Sequence, residues 1–376
     1  MKKILYTATV ASHICQFHLP YFKMFREMGY EVHVAARDNL AEKNGLSFKY
    51  VDKFFDVPFR RLPFSPKNLS AKRQLKKIID AENYDIIVCN TPVGGIVTRD
   101  AAKAARKRGT KVYYIAHGFH FYKGAPKKNW ILYYPIEKHY AKKCDGVITI
   151  NEEDFLFASK KFKTPVYRIH GVGVDGERHR LPTAEEKEAL RRELGVEDNF
   201  VCLCTGELNK NKNQSKLIKL VPKILERIPN FKLWLAGNGP LFEELRALAD
   251  TLDVSESVEF LGYRTDIERF VRSADIVATA SLREGVPFNV IEAQLAGIPV
   301  VASENRGHRE LIKNGDTGLI SDDRFFENIL KLYDDSEFRV QISLQARKSA
   351  LSYTALEVKR ELFEILFGDN KVESNG

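Results

Sequence analysis

Between Ala274 and Ala302 the sequence runs strand, turn, helix, strand, and that order commits the chain to a parallel α/β sheet. Ala274–Ala280 reads as a buried strand. Pro287 suits a first helical position, where a missing N–H costs nothing. Val290, Ile291 and Leu295 then give a helix its apolar side. Gly297 and Pro299 stop it, and Val300–Ala302 starts the next strand. The N-terminus of such a helix has unpaired N–H groups and the positive end of a dipole, and it binds phosphate without a side-chain charge. Glu284 stands just ahead of the helix and Glu292 one to two turns inside it. Facing a phosphate, either carboxylate would repel it. Facing hydroxyls on either side of a diphosphate, each offers two acceptor oxygens to a diol. Ribose diol, diphosphate, sugar diol is the order of groups in a nucleotide sugar.

Glu284, seven residues, then Glu292 resembles the E-x7-E element of retaining glycosyltransferases of family 4. The resemblance implies an α/β GT-B architecture: two Rossmann-like doubly wound domains facing a cleft, with a C-terminal helix crossing back to the first. It implies that Glu284 contacts the donor sugar and Glu292 holds the ribose. Gly285, Val286, Pro287 and Phe288 would then lie against the donor.

At 376 residues the chain is too long for one ordinary core and suits two domains. The expected division is 1–175 on the acceptor side, 176–352 for the nucleotide sugar, and 353–376 as crossover helix and tail. Residues 1–180 hold 33 Lys and Arg against 17 acids, and the remainder 26 against 33, so a strongly basic half precedes a mildly acidic one. The basic half suggests an acidic ligand or an anionic surface. No zinc-finger, RNP or helix-turn-helix signature supports a nucleic-acid partner. No apolar run reaches the eighteen or so residues a membrane span needs. Ile4–Ala11 superficially resembles a signal peptide, but Thr7, Thr9, Ser12 and His13 break it and no clear cleavage site follows, so a cytosolic protein is expected. The cysteines at 15, 89, 144, 202 and 204 show no metal-ligand spacing and read as buried reduced thiols.

Lys3–Val10 reads as the first strand, Ala11–Pro20 as a loop, the following residues as a helix ended by Gly29, and Glu31–Ala36 as the second strand. No glycine fingerprint follows the first strand, so a dinucleotide is not expected there. Ligands of doubly wound sheets sit beyond the carboxyl ends of strands, which makes His13, Gln16 and Phe17 candidates. Segment 68–80 reads as a basic amphipathic helix, and Asp85–Cys89 and Lys111–Ala116 as strands. His117 and Gly118 follow the latter. The family places a His here against the donor sugar, and the run Gly118–Gly124 resembles a subgroup that builds bacterial exopolysaccharides and capsules. The Trp, Tyr and Lys mixture of 122–143 reads two ways: a membrane-interface segment or a core helix with a solvated basic face. Gly171–Gly176 spells G-x-G-x-x-G, but no apolar helix follows to receive a pyrophosphate, so it reads as an interdomain hinge.

In the second half, Phe200–Thr205 reads as a strand leading into a loop with Lys210, Asn211 and Lys212, and a helix through Leu217–Ile228. A lysine in a turn at a strand's carboxyl end suits a phosphate. The family usually carries an Arg here and a Lys five or six residues on. Lys212 matches the Lys, while Glu207 stands where the Arg would be. Arg264 follows the strand Val258–Leu261, where the family places the base. Helices are expected over 184–194, 241–252, 323–350 and 354–367, with a disordered tail from 368.

The combined expectation is a retaining hexosyltransferase, with Glu284, His117 and Lys212 at the chemistry. Glu292, 285–288, Asn211, Arg264, His13 and Gln16 would bind substrate. No cofactor is expected; no Asp-x-Asp occurs, and the resemblance implies a metal-independent enzyme. The resemblance suggests a UDP-sugar donor carrying a hexose or N-acetylhexosamine. A polyprenyl-diphosphate-linked saccharide at the inner membrane face is the expected acceptor. A sugar-nucleotide epimerase and a non-catalytic scaffold subunit remain open.

Overall fold

The computed structural model describes residues 1–42, 46–62 and 65–368, and the expected tail lies almost wholly outside them. The chain forms two compact units, Met1–Gly173 together with the chain from Ala355, and Val174–Thr354.

The first unit holds seven parallel strands in the order β3-β2-β1-β4-β5-β6-β7. They are β1 (Lys2–Val10), β2 (Tyr30–Arg37), β3 (Lys53–Asp56), β4 (Ile86–Asn90), β5 (Lys111–Ala116), β6 (Gly146–Thr149) and β7 (Val166–Arg168). The order reverses beside β1, which pairs with β2 on one side and β4 on the other. Ile4–Val10 is buried without a break, as expected of a parallel strand covered on both faces. The last helix, Ala355–Phe367, belongs to this unit. It buries Val358 and Leu362 and sets the Phe367 ring 5.6 Å from Tyr30 and 6.1 Å from Phe25. Its Glu361 accepts from the backbone and ring of His170 at 2.9 and 2.6 Å.

The second unit is a six-stranded parallel sheet ordered β10-β9-β8-β11-β12-β13. Its strands are β8 (Phe200–Thr205), β9 (Phe231–Ala236), β10 (Val258–Gly262), β11 (Ile276–Thr279), β12 (Val300–Ala302) and β13 (Leu319–Ile320). The reversal falls between β8 and β11. Its first helix, Ala184–Glu193, starts from a complete capping box between Thr183 and Glu186. Gly173, at φ +85°, is obligatory, because a Cβ there would lie 2.8 Å from Ala355 Cα.

Four local expectations are corrected. Ala11–Pro20 is not a loop: Ala11–Phe17 and Leu19–Glu27 are helices broken at His18. Pro20 explains the break, since its ring cannot continue a helix through the carbonyl four residues earlier. The helix expected through 217–228 is two short ones, Gln214–Ile218 and Val221–Leu225, the second with Pro222 in its first turn. Pro287 is the N-cap, with ψ 117°, and the helix runs Phe288–Leu295. The strand before it is shorter than Ala274–Ala280, because Ala274 still caps the preceding helix.

Candidate functional site

In the second unit, the turn after β8 and the turn after β11 are laced together. Asn211 O accepts from Leu282 N at 2.8 Å, and Asn211 Nδ2 donates to Arg283 O at 3.0 Å. Asn213, left-handed at φ 55°, sends its amide toward Ala280 O at 3.4 Å, and Asn209 Oδ1 accepts from Lys212 N at 2.9 Å. These bonds fix both ends of the Lys212 side chain's route. Its methylenes run across Gly206, where a Cβ would meet Lys212 Cε at 3.0 Å, and its Nζ donates to Glu284 Oε1 at 2.7 Å. The two expected site residues, 72 positions apart, thus form a half-buried ion pair. An ammonium has three donors, and this bond uses one.

The helix Phe288–Leu295 begins beside that pair. Asn289 Nδ2 donates to Thr205 O at 3.3 Å, which holds the first turn at the carboxyl end of β8. Pro287, buried, has no side chain able to cap the N–H groups of the first turn. Those N–H groups are the ready anion site that the strand-turn-helix pattern implies. Gly307 lets the next helix press against the same turn: a Cβ there would stand 2.5 Å from Gly285 O and 2.6 Å from Glu284 Cβ. His308 is buried; its Nδ1 donates to Ser303 O at 2.7 Å and lies 2.9 Å from Asn305 Nδ2, and burial keeps its pKa low.

Glu292 lies within this helix with a mostly buried carboxylate. Burial pushes its pKa from 4.5 to about 7; Arg178 opposes the rise and Glu268 adds to it. His179 Nε2 is 3.7 Å away, and burial lowers that imidazole to about 4. Arg264 is engaged elsewhere: its guanidinium is bidentate on Asp266 at 2.9 and 2.7 Å and lies over the Phe270 ring. Glu207 does not substitute for the missing Arg. Its carboxylate accepts from Asn209 Nδ2 at 3.0 Å and so braces the Lys212 turn.

In the first unit, His13 and His117 meet with their Nε2 atoms 3.2 Å apart. Asn90, at the end of β4, orients them. Its Nδ2 donates to Thr7 O at 3.2 Å, which turns Oδ1 toward His117 Nε2 at 3.1 Å. That nitrogen therefore carries the proton, and His13 Nε2 is its second acceptor. His18 completes the group, fully buried with both ring nitrogens unpartnered. Burial lowers all three imidazoles, His13 to about 4, so they are neutral at pH 7. Among the described residues these three form the group that could ligate a metal, their nitrogens lying within 4.8 Å, although the proton on His117 would have to leave first.

Next to His13 is a cavity of about 320 Å³ lined by Thr9, Thr91, Arg61, His120 and Tyr133 among others. Thr91 holds a positive φ of 63° and bonds Thr9 through N and Oγ1 at 3.0 and 2.8 Å, a strained backbone at a strand's carboxyl end. Gln16 sits exposed three residues along the same helix as His13. Sequence reading missed His18, Asn90, Thr91 and His179. For His18 the available signal was a second His five residues after His13.

Two family descriptions match the chain: "Glycosyl transferase 4-like" over residues 3–151 and "Glycosyl transferases group 1" over residues 186–349. The chain is 44% identical over 373 residues to a putative glycosyltransferase, EpsD, of Bacillus subtilis, covering 97% of this chain and 96% of that one. It is 27% identical over 285 residues to the UDP-Gal:alpha-D-GlcNAc-diphosphoundecaprenol alpha-1,3-galactosyltransferase of Escherichia coli, covering 73% of each. Among solved structures, Anabaena HepE in complex with UDP and glucose superimposes with a TM-score of 0.74 at 22% identity, over 97% of this chain and 99% of that one. WaaG, a glycosyltransferase of lipopolysaccharide biosynthesis, gives 0.71 at 15%, over 97% and 100%. The two Rossmann-like sheets are those of an α/β GT-B fold.

Proposed function

The chain belongs to the group 1, 4-like family of glycosyltransferases, and on that premise we propose that it is a retaining, metal-independent hexosyltransferase of exopolysaccharide or capsule assembly. Its donor is a nucleotide diphosphate sugar, with uridine as the base. Its acceptor is a saccharide on a polyprenyl diphosphate. The observation that carries the reading is the Lys212–Glu284 pair at 2.7 Å beside the start of the helix Phe288–Leu295.

The chemical demand is charge on the leaving diphosphate as the glycosidic bond breaks. The N–H groups of Gly285, Val286 and Phe288 and the ammonium of Lys212 are preorganised donors for it, and such donors act strongly in a dry site. Asn211 holds the turn that presents Lys212. Glu284 accepts from the sugar hydroxyls, and its carboxylate, held by Lys212, faces the positive charge that grows at the anomeric carbon. Glu292 takes the ribose diol. Arg264 reaches the base only by parting from Asp266, so it contributes least. In the first unit, His117 is assigned to the donor sugar on the family resemblance, with His13 as its hydrogen-bond partner. Gln16 and the cavity beside His13 are assigned to the acceptor.

We assign the acceptor to a lipid because relatives' names include a diphosphoundecaprenol substrate and because the first unit exposes apolar side chains among lysines. On the helix Lys127–Ala141, Ile131 is 77% and Leu132 44% exposed, with Lys127 and Lys128 exposed beside them. No helix among the described residues is long and apolar enough to cross a membrane. The proposed location is cytoplasmic, peripheral at the inner membrane face. The functional test is a panel of nucleotide sugars in thermal-shift assays, since a ligand of the folded state raises the midpoint by mass action. Transfer to a lipid-linked acceptor then follows, with the anomeric coupling of the product read by NMR. Selective stabilisation by one nucleotide sugar and transfer with retention is the expected result. Inversion, or turnover of donor that needs no acceptor, overturns the proposal.

A further inference from the structure

A second cavity, of about 670 Å³, opens in the first unit among Lys72, Lys103, Arg106, Lys107 and Lys142. It lies at the opposite edge of the sheet from His117. Asp145 in its wall immediately precedes β6, and its Oδ2 accepts from Val112 N at the start of β5. His117 and Thr91 instead follow the carboxyl ends of β5 and β4. The cavity is therefore no part of the site described above.

Its charges do not balance. Lys72 and Lys143 share one carboxylate, Asp100, at 3.1 and 2.7 Å, and Arg106 takes Asp145 at 3.0 Å. Lys103, Lys107 and Lys142 are exposed at the rim, and none has an ion-pair partner among the described residues. Beneath them lies Arg99, which lines the cavity although its side chain is fully buried. Its Nε donates to Gly95 O at 2.9 Å, its Nη2 to Glu137 at 3.3 Å, and its plane lies 4.0 Å from the Tyr114 ring centre. Its Nη1 is buried with no hydrogen-bond partner. Cations near helix C-termini complement the dipole, which accounts for some of the lysines. It does not account for a buried guanidinium nitrogen left unbonded in the wall of a concave basic surface, where like charges focus the field on an anion.

We propose that this cavity is an anion site for a phosphate-type group of at least two charges, reached from the rim by the three lysines. Several ammonium donors converging from different directions suit a compact oxyanion better than a single planar carboxylate. A soluble diphosphate and a phospholipid headgroup share this chemistry.

Pyrophosphate is titrated calorimetrically into the full chain, into Lys212→Ala, and into a triple variant, Lys103→Glu/Lys107→Glu/Lys142→Glu. All three rim side chains are exposed, so the fold is expected to survive, with circular dichroism as the check. Binding that persists in Lys212→Ala and weakens at least tenfold in the triple variant, while UDP binding by the triple variant is unchanged, is the predicted pattern. Flotation with phosphatidylglycerol against phosphatidylcholine vesicles assigns the source. Loss of flotation in the triple variant points to a headgroup, and unchanged flotation with lost pyrophosphate binding points to a soluble ligand. Pyrophosphate binding abolished by Lys212→Ala alone, or equally tight in the triple variant, overturns the proposal. Neither result bears on UDP binding, so the failure of this site and of the donor site are told apart.

Discussion

Replacing Glu292 by Gln should stabilise the unliganded chain, and only above a defined pH. The carboxyl titrates near 4.5 unfolded and near 7 folded, because burial outweighs the help of Arg178. Between those values the folded state binds the extra proton, so stability falls as pH rises through the window. The penalty is complete above about pH 7 and absent below about pH 4.5, where the group is neutral in both states. A displacement of that size corresponds to about 3 kcal/mol. Glutamine keeps the shape and has no charge to desolvate. For a unit of this size, ~2–4 °C per kcal/mol places the rise in midpoint at ~6–12 °C at pH 8, shrinking to none near pH 4.5. Differential scanning calorimetry of both proteins across that range measures it. A midpoint difference that is zero at pH 8, or constant with pH, refutes the assignment of the penalty to Glu292. The same group links to function. If the ribose diol is held by the ionised form, UDP affinity in the wild type rises with pH up to about 7 and proton release accompanies binding; both are lost in Glu292→Gln.

Three further outcomes follow from the geometry. Lys212→Ala should lower kcat/KM about 10²–10³-fold, the usual cost of one transition-state donor, with an unchanged circular dichroism spectrum; steady-state kinetics with the donor found by thermal shift checks it. Gly307→Ala drives a methyl into Gly285 O and Glu284, at 2.5 and 2.6 Å, so it should cost about 1–3 kcal/mol in urea unfolding and weaken donor binding together. His18→Phe removes two buried, unpartnered nitrogens from among Tyr6, Tyr21 and His117, so it should be neutral or stabilising by about 1 kcal/mol in the same assay. Marked destabilisation by His18→Phe would instead show that those nitrogens bond something in solution.

The inner strands were legible because a parallel strand covered on both faces must be a continuous apolar run, as Ile86–Cys89 and Val300–Ala302 are. β3, Lys-Phe-Phe-Asp, and β13, two residues long, went unread: edge strands are short, half-exposed and carry no such signature. Ala11–Phe17 looked like a loop because polar Ser12, His13 and Gln16 interrupt its apolar pattern: Ser12 is buried against Asn39, Gln16 is exposed, and Ala11, Ile14 and Cys15 pack inward. Glu284, Glu292 and Lys212 were visible as residue types in the right local setting. Their pairing was not, since Lys212 and Glu284 are brought together by bonds between two turns, from Leu282 N to Asn211 O and from Asn211 Nδ2 to Arg283 O, rather than by sequence spacing. Nor could spacing show Arg264 locked to Asp266, or Asn90 deciding which imidazole nitrogen bears a proton.

A crystal structure of the chain with UDP decides whether Lys212 and the start of the helix Phe288–Leu295 hold the diphosphate. The β-phosphate should lie within hydrogen-bond distance of Lys212 Nζ and of the N–H groups of Gly285, Val286 and Phe288, with the ribose hydroxyls on Glu292. A nucleotide seated elsewhere, with no phosphate on Lys212 and no sugar on Glu292, would rule that arrangement out.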